Sequence, residues 1–266
     1  MSKKIRFYNY KSEDEFEEHL MKKTIMRNIL CISILIIVAI ILSFLRVQPP
    51  FLPKMFAVEF SVFPELIASI AYGPLIGVVV CLVKNIVHIA VMNNYLIIDA
   101  SNFVVESVFV VVVGIYYISK MFPIKKNAPE ANEPLVYDPF AYDSTMKFDR
   151  FFRGKTIIKG SLLGAVFALP VKFLTTNYFV YPMLEKQYSQ YNVTEQKIIS
   201  NYNVSIDAIC GYLPQKIAAL IPHVKTAWQG ILMVNLPVTF VKLVFVVLLT
   251  LLIYPFISPL MHNIYE

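Results

Sequence analysis

Charge is what this chain has least of. Asp, Glu, Lys and Arg make up 16% of its 266 residues, against 57% hydrophobic ones, whereas a soluble domain runs at about 25% charged and 45–50% apolar. With a mean hydropathy of +0.61, that shortage excludes an ordinary soluble domain and marks an integral membrane protein. Cysteine is scarce as well. Cys31, Cys81 and Cys210 share no short spacing, and two of them lie in apolar runs, so neither a disulfide framework nor a zinc site follows. Catalytic signatures are also lacking: there is no HExxH pattern, no Cys/His cluster and no GxxxxGK[ST] phosphate loop. An intramembrane enzyme would need a nucleophile–base pair or a metal cluster, and neither stands out. The start lacks the small-x-small site of a cleavable signal, and residues 1–27 are of mixed charge, so the first apolar run reads as a retained anchor.

What is present is six apolar segments, at about 28–45, 60–72, 74–92, 99–119, 156–182 and 229–257. A helix needs about 20 residues to cross the hydrocarbon, so the second is short and reads as partly re-entrant. Gly73-Pro74 is a sharp turn signal between the second and third. The net charge of +6 comes from Lys and Arg at membrane flanks rather than along one stripe, which favours orientation signals over nucleic acid. Residues 1–27 and 120–155 hold seven Lys/Arg each, whereas 46–59 hold two, 93–98 none and 183–228 four. The positive-inside rule then puts 1–27 and 120–155 in the cytoplasm. The predicted architecture is all-α: six transmembrane helices in a membrane domain over 28–262, both termini cytoplasmic, a cytoplasmic loop 120–155 and an extracellular loop 183–228. The stretches TEQKIISNY and DAICGYLPQKIAALI in the latter predict short helices capping the outer face.

Several polar groups sit where lipid makes them costly. A central Lys costs about 2.5–3.5 kcal/mol on the insertion scale, yet Lys84 and Lys172 are mid-span. Lys242 falls 13 residues into the last segment, roughly 20 Å from its end. Snorkelling is the plain alternative for Lys84 and Lys172 and fits Lys242 less well. His88 follows Lys84 by four residues, on the same helix face. Asp99 and Ser101 are candidate N-caps, and Glu106 lies one to two turns deeper. Amides, hydroxyls and lysines thus converge on the outer half of the bundle among Phe, Tyr and Met, as in a pocket for a flat, polar-edged small molecule.

Five motifs appear in order: FAVEFSVFPELIASIAYGPLIGVVVCLVKNIVHIA, IDASNF, TTNYFVYPML, NLPVTFVK and LLIYPFISPLMH. Together they resemble the substrate-binding (S) components of energy-coupling-factor vitamin transporters, of the riboflavin-binding kind, over about 28–262 without the two long loops. The resemblance implies a multi-pass protein of the bacterial plasma membrane, with six helices and an outward-opening flavin pocket that loop 46–59 helps to close. On the matching positions, Asn102, Asn177 and Lys242 would hydrogen-bond the ligand, and Lys84 and Asn85 would lie in or under the pocket. Asp99, Tyr178 and Thr239 belong to the same motifs. The ligand would be riboflavin or an FMN-like flavin, with no cofactor, no metal and no catalysis. The partners would be a transmembrane coupling protein and two ATPase subunits. Another vitamin (folate, thiamin, a queuosine precursor) or a ligand-free scaffold are the alternatives. The chain departs from the pattern at Val62 (Asp in the family), Ile98 (Gly), Asp99 (Glu) and Thr239 (Asn). Its first helix, with Ser33, Ile37 and Ala39, also lacks the family's Ala-x-x-x-Ala face, and small residues are what let helices approach closely.

Overall fold

The computed structural model describes residues 13–45, 47, 58–92, 96–121, 150–187 and 194–262. Most of the predicted loops 46–59 and 120–155 lie outside them, as do residues 1–12 and 263–266. Lipid offers no water to backbone amides, so a chain this apolar satisfies them within helices. Among the described residues the regular structure is helical, apart from a single antiparallel bridge between Val47 and Val58.

Among the described residues, five helices are long and apolar enough to cross a membrane: Met21–Phe44, Pro74–Val91, Leu96–Met121, Arg153–Leu184 and Ala227–Pro259. They belong to α1 (Glu13–Phe44), α3 (Pro74–Val91), α4 (Leu96–Met121), α5 (Arg150–Leu174) with α6 (Tyr181–Gln187), and α9 (Ala227–Gly230) with α10 (Leu236–His262). The second predicted segment is α2 (Val62–Tyr72), of 11 residues, which rises only about 16 Å, half of a roughly 30 Å hydrocarbon core. It is buried along almost its whole length and packs against α1, α3, α4 and α10. The short segment is therefore the centre of the bundle, not a lipid-facing span. Outward faces of α1, α3 and α10 carry exposed Ile, Leu, Val and Phe, as surfaces meeting lipid require.

Gly73 separates α2 from α3 at φ +100°, a conformation that costs a Cβ-bearing residue and leaves glycine free. Pro74 then takes the first helical position, where no backbone N–H is needed. Two wide π-helical turns, Thr175–Val180 and Ile231–Asn235, interrupt α5–α6 and α9–α10. Each precedes a proline, Pro182 and Pro237. A helical proline clashes with the carbonyl four residues back, here Tyr178 and Met233, and widening the turn relieves that clash. In the predicted outer loop, α7 (Glu195–Cys210) and α8 (Gln215–Ala218) supply the expected short helices. Through Ile198, Tyr202 and Ile206, α7 packs onto Val180, Tyr181, Ile231 and Val234, forming a second core at the π-turn ends of α5 and α10.

Candidate functional site

The intramembrane charges meet at one place. Lys84 on α3, with 1% of its surface exposed, points its ammonium at α4 and α2. It donates to Glu106 Oε2 at 2.6 Å and to Ser61 Oγ at 3.2 Å. Glu65 Oε1 on α2 stands 3.0 Å from the same nitrogen, outside hydrogen-bond geometry. Neither oxygen of Glu65 accepts a hydrogen bond among the described residues. From the other side Lys242 on α10 donates to Glu106 Oε1 at 2.8 Å. A carboxylate and an ammonium in a low-dielectric interior persist only when they compensate each other, and Glu106 does so for two lysines at once. The oxygens of Glu65 and Glu106 and the sulfur of Cys81 lie within 4.8 Å of one another, a spacing that suits a metal. However, the Lys84 ammonium already stands between both carboxylates as their cation.

On the α10 side of this network is a cavity of about 50 Å³ lined by Val62, Asn102, Val105, Glu106, Phe109, Lys172, Thr239, Lys242 and Leu243. Its walls come from α2, α4, α5 and α10. Lys172 donates to Asn102 Oδ1 at 3.1 Å, and Thr239 donates its hydroxyl proton to Asn235 O at 2.8 Å.

Three residues expected from sequence, Asn102, Thr239 and Lys242, therefore share one cavity. Lys84 lies behind it, joined through Glu106. Asn85 bonds its own helix, Nδ2 to Cys81 O at 2.8 Å. Asp99 is in the first turn of α4 rather than at its N-cap. It meets His88 Nδ1 at 2.6 Å, which ties the end of α3 to the start of α4 away from the cavity. Asn177 and Tyr178 fall in the first π-turn and do not line the cavity, and Tyr178 is 71% exposed. Ser101 and Thr175, whose hydroxyls are 3.0 Å apart, join α4 to α5 at that level. Lys172 lines the cavity where sequence alone left it a mid-span lysine. Glu65 went unnoticed, although one carboxylate in an otherwise apolar helix is the signal to seek its cation.

The family model described as ECF transporter, substrate-specific component, matches residues 27–254. Among curated proteins, the riboflavin transporter RibU of Staphylococcus aureus (strain TCH60) is 37% identical over 62 residues. That alignment takes in 23% of this chain and 33% of the relative, so it spans a third of that protein's length. A solved S component of a bacterial ECF transporter is similar at a TM-score of 0.52 and 18% identity, over 87% of this chain and 95% of the other, a likeness of fold alone.

Proposed function

The chain belongs to the substrate-specific components of ECF transporters, multi-pass proteins of the plasma membrane that bind a substrate without transforming it, and from that premise we propose that it captures riboflavin or a related flavin for ATP-driven uptake. The observation that carries this reading is the cavity itself. Ammonium and amide donors of Lys172, Lys242 and Asn102 meet apolar Val62, Val105, Phe109 and Leu243, a pairing that suits a flat ring system with carbonyls at one edge. The partial likeness to a riboflavin transporter supports the same ligand.

At about 50 Å³ the cavity is well below the roughly 300 Å³ at which small-molecule pockets begin. Admission of a three-ring ligand therefore requires the walls to part. The Glu106 bridges hold α3, α4 and α10 together. The chain has no phosphate loop, so energy for release comes from partners: a membrane coupling protein and two ATPase subunits.

The test is equilibrium binding by purified protein in detergent, read by quenching of flavin fluorescence. Saturable one-to-one riboflavin binding, weakened at least tenfold by Lys242→Met, is the expected result. No flavin binding, with folate, thiamin or a queuosine precursor bound instead, would overturn the flavin assignment.

A further inference from the structure

The stretch between α7 and α9 turns apolar side chains outward where a loop standing in water would hide them. Tyr212, Ile217 and Leu220 are exposed, Leu220 at 80%, while Val224 and Ala227 of the same stretch are buried in the second core. Hydrogen bonds build this exposure in. Asn203 on α7 donates from Nδ2 to Val224 O at 3.1 Å and accepts from Val224 N at 2.8 Å. Two tight turns, Leu220 N to Ile217 O at 3.0 Å and Ile221 N to Ala218 O at 3.1 Å, satisfy the backbone between. Charge here has one sign. Lys216 and Lys225 are exposed, and no carboxylate side chain occurs between Asp207 and Glu266. Asp207 itself meets His223 Nε2 at 2.8 Å. The helix that follows sets the depth. Ala227–Pro259 has 33 residues, a rise of about 50 Å against a hydrocarbon core of about 30 Å, so its ends stand in the headgroup layers. Trp228, in its first turn, is exposed, as is Leu232 one turn on, and tryptophan favours that layer.

We propose that residues 211–228 form a shelf lying in the lipid headgroup layer, where Ile217, Leu220 and Trp228 dip towards the acyl chains and Lys216 and Lys225 hold the phosphates of anionic phospholipids. Exposed apolar groups rimmed by polar ones mark a contact surface. Leucine and tryptophan interleaved with lysine are the composition of segments that lie in a membrane interface, and a lysine stem reaches up from apolar surroundings to its charge. Lipid is favoured over a second copy of this chain, because two copies would bring like-charged lysines together. The shelf is independent of which ligand the cavity takes.

Trp228 is the chain's single tryptophan, so fluorescence can be read at one site at a time. Full-length protein is placed in phosphatidylcholine vesicles as wild type and as Trp228→Phe/Leu220→Trp. An equal minor fraction of the lipid carries bromine near the top of its acyl chains, on phosphatidylglycerol in one series and phosphatidylcholine in the other. Both tryptophans should be quenched by either label. At low salt, brominated phosphatidylglycerol should quench about twofold more, since anionic lipid gathers at the lysines. Lys216→Gln/Lys225→Gln should abolish that preference in each background, as should about 1 M salt, where the screening length falls to about 3 Å. A tryptophan at 220 quenched by acrylamide from the water but not by brominated lipid overturns the proposal. So does equal quenching by the two labels at low salt, which the wild type reports with no substitution, or a preference that survives loss of both lysines. Protection of position 220 from both quenchers that grows with the protein-to-lipid ratio would assign the surface to a second copy and overturn it as well.

Discussion

Replacing Glu106 by Gln keeps the side chain's shape and removes one negative charge from between two ammonium groups. Lys84 lies 2.6 Å from one carboxylate oxygen and Lys242 lies 2.8 Å from the other, and Glu106 is 4% exposed. Little of the Glu106 or Lys242 side chain is exposed, so solvent makes up only part of a lost charge. An amide can accept from one lysine, but it turns an NH2 towards the other. Lys84 keeps Glu65 at 3.0 Å, so Lys242 is the group left stranded. Removing one partner of a buried pair costs about 3–5 kcal/mol, and a chain of this size loses about 2–4 °C of melting temperature per kcal/mol. The expected drop is about 6–20 °C, measured by thermal unfolding in detergent. Glu106→Gln combined with Lys242→Met removes the stranded ammonium and should recover roughly half of the loss, a non-additivity that marks direct coupling. The double variant should still bind riboflavin poorly. A melting point within about 2 °C of wild type for Glu106→Gln, or strictly additive effects, would refute the reasoning.

Other substitutions separate packing from binding. A Cβ at Gly114 would fall on Ser69 Oγ and 3.1 Å from Pro74 Cβ, where Ser69 donates to Val110 O at 2.6 Å. Gly114→Val should cost about 1–3 kcal/mol by overpacking, seen in the same melts, and wild-type stability would show that α4 can shift away. Asp99→Asn weakens the buried contact to His88 and should destabilise by about 1–3 kcal/mol. Riboflavin affinity should stay within about threefold, and a tenfold loss would show that Asp99 reaches the ligand. Tyr178→Ala, at a side chain 71% exposed, should leave affinity within twofold, and a larger loss in the titration would place that ring in the site.

Much of the architecture was readable before any coordinates. Segments predicted at 74–92 and 99–119 correspond to Pro74–Val91 and Leu96–Met121, because hydropathy is a local property that lipid enforces on each helix separately. The 60–72 segment was recognisable as short, but its place at the bundle centre was not. An apolar helix surrounded by other helices has the same composition as one facing lipid. The π-turns were hidden for a related reason. Pro182 and Pro237 announce a disturbance, yet whether a helix breaks, kinks or widens depends on what packs against it. Asp99 and His88 were each legible as polar outliers and were read separately, since a sequence separation of 11 across a turn says nothing of a shared contact.

By itself, the amino-acid order determined that this is a membrane-embedded helical protein, where most helices run, why a glycine opens α3, and which few polar side chains the lipid would not tolerate alone. Those properties depend on composition and on backbone chemistry within a turn or two. Only the tertiary structure decided which of these polar groups neutralise one another. Glu106 meets Lys84 at a separation of 22 residues and Lys242 at 136, and Lys172 meets Asn102 at 70. Such pairs are chosen by how α2, α3, α4, α5 and α10 pack. That packing places one carboxylate between two lysines and leaves a third lysine beside the Asn102 amide.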